Sequence, residues 1–140
     1  MQRRNQPAGI GAQRGFTLIE LIVAVAIMGI LMALAVSSYQ SSVMKTRRGT
    51  ARACLMEAAQ FMERSYTLNM TYEVADFPDL TCADDLADFY TFDFSGAPDA
   101  DSYVVRATPI GSQADDSQCG VLTLDQSGAK GANDVAACWQ

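Results

Sequence analysis

Residues 15 to 36 read GFTLIELIVAVAIMGILMALAV and decide how this chain of 140 residues is organised. Glu20 stands at the outer edge of a run of uncharged, mostly large apolar residues that extends from 21 to 36. Because a helix of about 20 apolar residues spans a bilayer, the stretch predicts a membrane helix. A carboxylate costs about 2.5–3.5 kcal/mol at the centre of such a helix and less near its end. Glu20 is therefore expected to have a positively charged partner.

The residues before the helix predict its orientation and its processing. Residues 1–14 contain three arginines and no acid, the pattern that keeps an N-terminus in the cytoplasm. A secretory signal places its small-residue cleavage site after a short apolar run, whereas here Gly15 lies before a long one. Cleavage after Gly15 would leave the α-amino group of Phe16 one helical turn from Glu20. That ammonium is the expected positive partner.

The segment Gly15-Phe16-Thr17-Leu18-Ile19-Glu20-Leu21 resembles the processing site of type IV prepilins. The resemblance is specific because a basic leader, a glycine, the glutamate offset and an uninterrupted apolar helix coincide. In that family a membrane peptidase cuts after the glycine and methylates the new N-terminus. The resemblance implies a leader at 1–15, N-methylphenylalanine at Phe16, and pairing of Glu20 with an N-terminal amine that sets the axial register of the filament.

An apolar stripe predicts that the helix continues beyond the membrane. Its members recur at steps of seven, four, three, four and four, a helical spacing: Met44, Ala51, Leu55, Ala58, Met62 and Tyr66. We expect one helix from about residue 16 to about residue 68. Its first half lies in the membrane, and its second half packs on a sheet.

Three later segments have the alternation that is typical of strands. Tyr90, Phe92 and Phe94 share one side of the first, Tyr103, Val105 and Ala107 share one side of the second, and residues 121–124 form the third. Residues 72–89 are expected to form an acidic loop with one short helical turn. A long helix followed by an antiparallel meander predicts an α+β fold. The resemblance implies the type IV pilin fold, with a filament-core helix at 16–44 and a head at 45–140.

Four cysteines, Cys54, Cys82, Cys119 and Cys138, predict two disulfides in a domain that folds outside the cytoplasm. Four cysteines allow three connectivities, of which we favour the sequential pairing. The chain has no histidine and no C-x-x-C pair, so we expect no metal site and no cofactor.

The head also resembles PilE-type minor pilins. The matching stretches are ARACLMEAAQFMERSYTLNMTY at 51–72, YVVRATP at 103–109, CGVLTLDQSG at 119–128 and Cys138-Trp139. In that family two cysteines of the tail region frame a loop that is exposed on the pilus, and they map onto Cys119 and Cys138. The resemblance implies a subunit of low abundance that helps to prime pilus assembly.

The charge is unevenly distributed. The formal net charge of −6 becomes −9 when the three leader arginines are removed. Residues 45–64 are basic and the rest of the head is acidic, which suits charge-matched packing between subunits or a solvated surface near the membrane. A generally DNA-binding head is not expected because such a module presents a basic patch, although a few basic residues at a filament tip could bind DNA.

The acidic residues of the loops are not expected to bind calcium. Asp84, Asp85, Asp88, Asp115 and Asp116 lack the twelve-residue calcium-loop pattern and are expected to be solvated. Without histidine the commonest general base is missing, so we expect a protein that is not an enzyme.

The sequence therefore predicts a structural subunit of a type IV pilus. Its expected partners are other pilin subunits, the prepilin peptidase and methyltransferase, and the assembly machinery of the inner membrane. Before assembly it would sit in the bacterial inner membrane with the head in the periplasm, and afterwards in the extracellular pilus. Motility, adhesion and DNA uptake stay open as roles of that pilus. Two alternatives also stay open: a type II secretion pseudopilin, against which the paired head cysteines argue, and a pilus-borne adhesin or DNA-binding subunit.

Overall fold

The computed structural model describes residues 15–74 and 76–140. A helix of 52 residues, α1, is followed by a short helix, four strands and a further short helix. In chain order these are α1 (Leu18–Asn69), α2 (Thr81–Asp85), β1 (Tyr90–Phe94), β2 (Val104–Pro109), a 3₁₀-helix (Gly111–Asp115), β3 (Leu122–Asp125), β4 (Lys130–Gly131) and α3 (Val135–Cys138). The predicted long helix and the predicted α+β order of elements are confirmed.

The contacts within the chain fall into two compact units. The first ends at Ser38, and its described residues are exposed. The second is the head, Tyr39–Gln140, and it contains all residues of the hydrophobic core. α1 contributes to both units because it runs without interruption from Leu18 to Asn69.

The strands form one antiparallel sheet in the order β1-β2-β3-β4, so each strand pairs with the strand that follows it. In β1 and β2, Phe92 is opposite Ala107. Val105 of β2 is in turn opposite Leu124 of β3. The alternation that the sequence shows in 103–107 is reproduced, because Tyr103, Val105 and Ala107 are all buried. The predicted meander is confirmed.

The core joins one face of α1 to the inner face of the sheet. Ala51, Leu55, Ala58 and Met62 of the predicted stripe are fully buried. They share one cluster with residues of the loops and strands: Tyr72, Leu80, Leu86, Tyr90, Tyr103, Val105, Ala107, Leu122 and Leu124. Burial of each large apolar side chain contributes about 1.5–3 kcal/mol. The two ends of the stripe, Met44 and Tyr66, are only partly buried.

The structure corrects the sequence prediction at several short elements. The third strand begins at Leu122, one residue later than predicted, and a fourth strand of two residues pairs with it through Thr123 and Gly131. The sequence does not predict the 3₁₀-helix or α3 either. β4 has only two residues, and the 3₁₀-helix and α3 have five and four, which is too short for a helical period to be recognised.

Candidate functional site

The N-terminal end of α1 holds the residues that the prepilin resemblance singles out. Gly15 precedes the helix, and Phe16 is 84% exposed. Thr17 caps the first turn, since its Oγ1 accepts a hydrogen bond from the N–H of Glu20 at 3.3 Å. Gly15, Phe16 and Glu20 thus lie within six consecutive residues at the start of one helix. Of the predicted leader, residues 1–15, all but Gly15 lie outside the described residues.

Glu20 has a structural explanation that competes with a role in assembly. Thr17-Leu18-Ile19-Glu20 has the form of a capping box, in which the glutamate side chain bonds back to the cap residue. Of the two bonds in that motif, the structure contains the one to Thr17 Oγ1. Within residues 15–74 and 76–140 the Glu20 carboxylate has no ion-pair partner. A carboxylate in the first turn is also favoured by the helix dipole.

The apolar run that follows Glu20 is exposed along its whole length. Its large side chains are exposed, for example Leu34 at 68% and Ile30 at 65%. By length and composition, α1 is the described helix that could cross a membrane. An exposed apolar surface of this size requires a bilayer or other apolar helices around it.

The two disulfides each join distant segments of the head. Cys54 of α1 bonds to Cys82 of α2, with a Cα–Cα distance of 5.7 Å. Cys119 bonds to Cys138 of α3, with a Cα–Cα distance of 5.6 Å. This is the sequential connectivity that we favour from the sequence, and none of the four cysteines is free.

A buried polar cluster lies where α1 meets the loop before β3. Arg48 is only 7% exposed, and its Nε lies 3.6 Å from Oδ2 of Asp116, which is also buried. The fully buried Gln113 donates from Nε2 to Met44 O at 3.2 Å and to Asp116 Oδ2 at 3.4 Å. The cluster therefore links α1 to the 3₁₀-helix and to the loop that follows it.

The prediction that the loop aspartates are solvated is wrong for Asp116. Its carboxylate is buried because it compensates the charge of Arg48 and accepts from Gln113. Arg48 belongs to the basic 45–64 segment of the sequence, but it is four residues after Met44 and three before Ala51. It therefore lies on the same helix face as the apolar stripe, in the gap of seven residues between Met44 and Ala51. That spacing is the signal in the sequence that Arg48 is buried.

A second cluster places a carboxylate between two tyrosines. Tyr72 donates to Glu63 at 3.0 Å, and Tyr103 donates to the same carboxylate at 3.1 Å. Burial, followed by the hydrogen bond to Glu63, raises the pKa of both phenols. The Tyr72 and Tyr103 rings also meet edge to face, with centroids 4.8 Å apart. These contacts hold the end of α1 against β2.

Four basic residues of the head, Lys45, Arg48, Arg52 and Lys130, lie close to the segment 138–140. Lys45, Arg48 and Arg52 line a pocket of about 350 Å3 together with Cys138. Arg52 donates to the carbonyl oxygen of Cys138 at 3.1 Å and to that of Gln140. Nearby, Nζ of Lys130 lies 5.4 Å from the centre of the Trp139 ring. We call this arrangement the basic tail surface (Lys45, Arg52, Lys130 and Trp139).

The remaining acidic residues provide no metal site in the described part of the chain. Within residues 15–74 and 76–140, no group of three or more potential ligands is close enough to hold a metal ion. Asp84, Asp85 and Asp88 are exposed, in agreement with the prediction of solvated loop acids. The pKa of Asp99 is lowered by its hydrogen bonds to Ser102 and to the backbone of the same turn, which is a structural role.

Comparison with protein families identifies two matching segments. Residues 37–123 match the family described as type IV minor pilin ComP, DNA uptake sequence receptor. Residues 10–36 match the prokaryotic N-terminal methylation motif. The first match covers more than half of the 140 residues, and the second includes Gly15, Phe16 and Glu20.

Comparison with solved structures identifies the same fold. A type IV pilin from Shewanella oneidensis is 27% identical with a TM-score of 0.55, and the match covers 69% of this chain and 98% of that pilin. The non-core minor pilin PilV from Neisseria meningitidis is 26% identical with a TM-score of 0.50, and that match covers 66% of this chain and 88% of PilV.

Proposed function

This chain belongs to the type IV minor pilin ComP family, and on that basis we propose that it enters the pilus after cleavage behind Gly15 and methylation of Phe16. The apolar helix anchors it in the membrane until assembly, and the protein then serves as a structural subunit of the pilus. The family match favours this role over a type II secretion pseudopilin.

The observation that carries the proposal is Glu20, a carboxylate without an ion-pair partner among the described residues, at the start of an exposed apolar helix. In an apolar filament core an unpaired charge is expensive, whereas a paired one is compensated. The amine that cleavage would create on Phe16 of a neighbouring subunit is a suitable cation. Pairing of the two groups would fix the axial register between neighbouring helices in the filament.

Intact mass and N-terminal peptides of the protein from sheared filaments test the processing step. We expect a mature chain that begins with N-methylated Phe16 and contains two disulfides. Removal of 15 residues from 140 leaves 125. A chain that stays in the membrane with residues 1–15 attached would contradict the proposal.

Glu20→Ala tests the register step separately. We expect the variant to be cleaved and methylated but to be largely missing from sheared filaments, as measured by immunoblot against the membrane fraction. Glu73→Ala is the matched control, because it removes an exposed carboxylate from a loop of the head. Incorporation of Glu20→Ala at the level of the control would contradict the register step.

DNA binding is a second candidate function, favoured by the family's description as a DNA uptake sequence receptor. The basic tail surface offers lysine and arginine groups for phosphates and one aromatic ring, Trp139, that could stack on a base. Thirteen acidic residues against two basic ones after residue 64 oppose binding elsewhere on the head. We therefore expect any DNA contact to be confined to this surface and to weaken with salt.

Fluorescence anisotropy of labelled duplex DNA with the full chain in detergent tests this candidate. We expect Lys45→Gln and Lys130→Gln each to weaken binding several-fold and to reduce the salt slope by about one, because each variant removes one cation that faces a phosphate. Arg106→Gln is the control, since Arg106 is already paired with Asp93 at 2.7 Å. Equal binding by all three variants, or none by the wild type, would rule out the basic tail surface as a DNA site.

A further inference from the structure

The two disulfides of the head lie in opposite electrostatic surroundings. Sγ of Cys82 is 3.5 Å from a carboxylate oxygen of Glu57. At the other disulfide, the guanidinium of Arg48 donates to Cys138 Sγ at 3.5 Å and also contacts Cys119 Sγ. One bridge therefore has a negative neighbour and the other has a positive one.

This difference matters because disulfides open by releasing a thiolate. A thiolate is stabilised by a nearby cation and is a better leaving group there, whereas a nearby carboxylate disfavours it. Asp116 compensates part of the charge of Arg48 through Nε, but it also holds the guanidinium so that Nη1 faces the two sulfurs without rearrangement. Opening of Cys119–Cys138 should therefore be favoured over opening of Cys54–Cys82.

We propose that Cys119–Cys138 is a thiol-exchange site that reacts selectively with small anionic thiols of the glutathione type. The incoming thiolate attacks Sγ of Cys138, the bond between the two sulfurs breaks, and Cys119 leaves as a thiolate beside Arg48. Cys138 then carries a mixed disulfide with the small thiol. A second small thiolate attacks the small-molecule sulfur of that mixed disulfide, which gives the oxidised small thiol and releases Cys138 as a thiolate.

The geometry of the basic pocket determines the direction of attack and the kind of thiol. Cys138, and not Cys119, lines the pocket of about 350 Å3 that also contains Lys45, Arg48 and Arg52. Three cations at one pocket raise the local concentration of an anion. Glutathione carries two carboxylates in addition to its thiolate, so it should react faster than a small thiol without them.

Solvent exposure alone predicts that Cys54–Cys82 opens faster than Cys119–Cys138, which is the opposite of the order that we propose. Both Cys119 and Cys138 are 1% exposed, whereas Cys82 is only partly buried. Attack at Cys138 must follow a local opening of α3, which is a single turn of four residues. So short a helix has little stability of its own, and such openings are cheaper than global unfolding.

The test uses the full chain in detergent, incubated with reduced glutathione at about pH 8, where part of the thiol is ionised. Samples are quenched with N-ethylmaleimide and mapped by peptide mass spectrometry. We expect Cys119 and Cys138 to open about tenfold faster than Cys54 and Cys82, and the glutathione adduct to appear on Cys138. Equal rates, or faster opening of Cys54–Cys82, would overturn the proposal. An adduct on Cys119 would overturn the direction of attack.

Two variants separate the electrostatic effect from a structural one. Arg48→Met should slow opening of Cys119–Cys138 because it removes the cation that stabilises the leaving thiolate. Faster opening would show that Arg48 acts only by holding the buried cluster together, and it would overturn the electrostatic effect. Lys45→Gln changes an exposed residue of the pocket and should slow glutathione more than it slows β-mercaptoethanol. Lys130→Gln is the control, because Lys130 does not line the pocket and its loss should not change the preference for glutathione. If Lys45→Gln slows both thiols equally, the selection of anionic thiols is wrong.

Discussion

Arg48 is a charged side chain inside the head, and its partners define the junction between α1 and the loop that follows the 3₁₀-helix. The guanidinium faces Asp116 and the sulfurs of the second disulfide. Asp116 in turn accepts from Gln113, whose amide also binds the carbonyl of Met44. A buried charge is tolerated only when it is compensated in this way. Each member of the cluster is therefore expected to be sensitive to loss of its neighbour.

Asp116→Ala should destabilise the head by about 3 kcal/mol, because it leaves the charge of Arg48 buried and unpaired. Urea unfolding of the full chain in detergent measures the change. The adjacent Asp115→Ala is the matched control, since Asp115 is exposed and its loss should change the free energy of unfolding by less than about 0.5 kcal/mol. Equal effects of the two variants would show that the buried pair does not stabilise the head.

At the scale of elements, α1 has two different environments along one continuous helix. Residues 21–36 are exposed and apolar, whereas from Arg48 to Met62 one face of the helix is buried in the head. The opposite face of that second part stays exposed and includes Met56 and Phe61. The same element therefore contributes both to anchoring and to the folded head.

Leu55→Ala should destabilise the head by about 3 kcal/mol, since Leu55 is fully buried and truncation leaves a cavity. Met56→Ala, one residue further and 45% exposed, should cost less than about 1 kcal/mol. The difference between their urea midpoints measures which face of α1 carries the packing. A larger effect from Met56→Ala would mean that α1 packs on the sheet through a different face.

The elements with a long hydrophobic period could be predicted from the sequence, and the type IV pilin family and fold are confirmed. α1 and the strands around Tyr90, Val105 and Leu122 each present a repeated apolar face. β4 could not be predicted because its two residues, Lys130 and Gly131, are polar or small and pair only through the backbone. The spacing of the apolar stripe hints that Arg48 is buried, but its partner could not be predicted because Asp116 lies 68 residues away in the chain, and no local pattern connects the two.

For the molecule as a whole, the charge is carried mainly by the head. The chain has 16 acidic and 10 basic residues, and all but three of the acids follow residue 64. Two buried tyrosines, Tyr72 and Tyr103, make the stability of the head depend on pH in the alkaline range. The pKa values of Tyr72 and Tyr103 are raised by burial and then by Glu63, so ionisation of these groups is easier in the unfolded chain.

Stability of the head should therefore fall as the pH rises above about 10, where the unfolded tyrosines lose their protons and the folded ones retain them. The stabilising contribution of these groups is fully present below that pH. Tyr103→Phe should flatten the alkaline decline, as measured by urea midpoints at several pH values. Thr108→Ser, on the same strand but away from Glu63, is the control. An unchanged slope in Tyr103→Phe would contradict this assignment.

Because every strand of the sheet pairs with its neighbour in chain order, the head can build its sheet progressively, one hairpin after another. Such pairings close short loops, and topologies rich in them reach the native state quickly. The sheet requires no threading and no strand that waits for a distant partner. A head whose residues cross the membrane in the order of synthesis can thus complete its sheet progressively, which shortens the time for which apolar strands are exposed to aggregation.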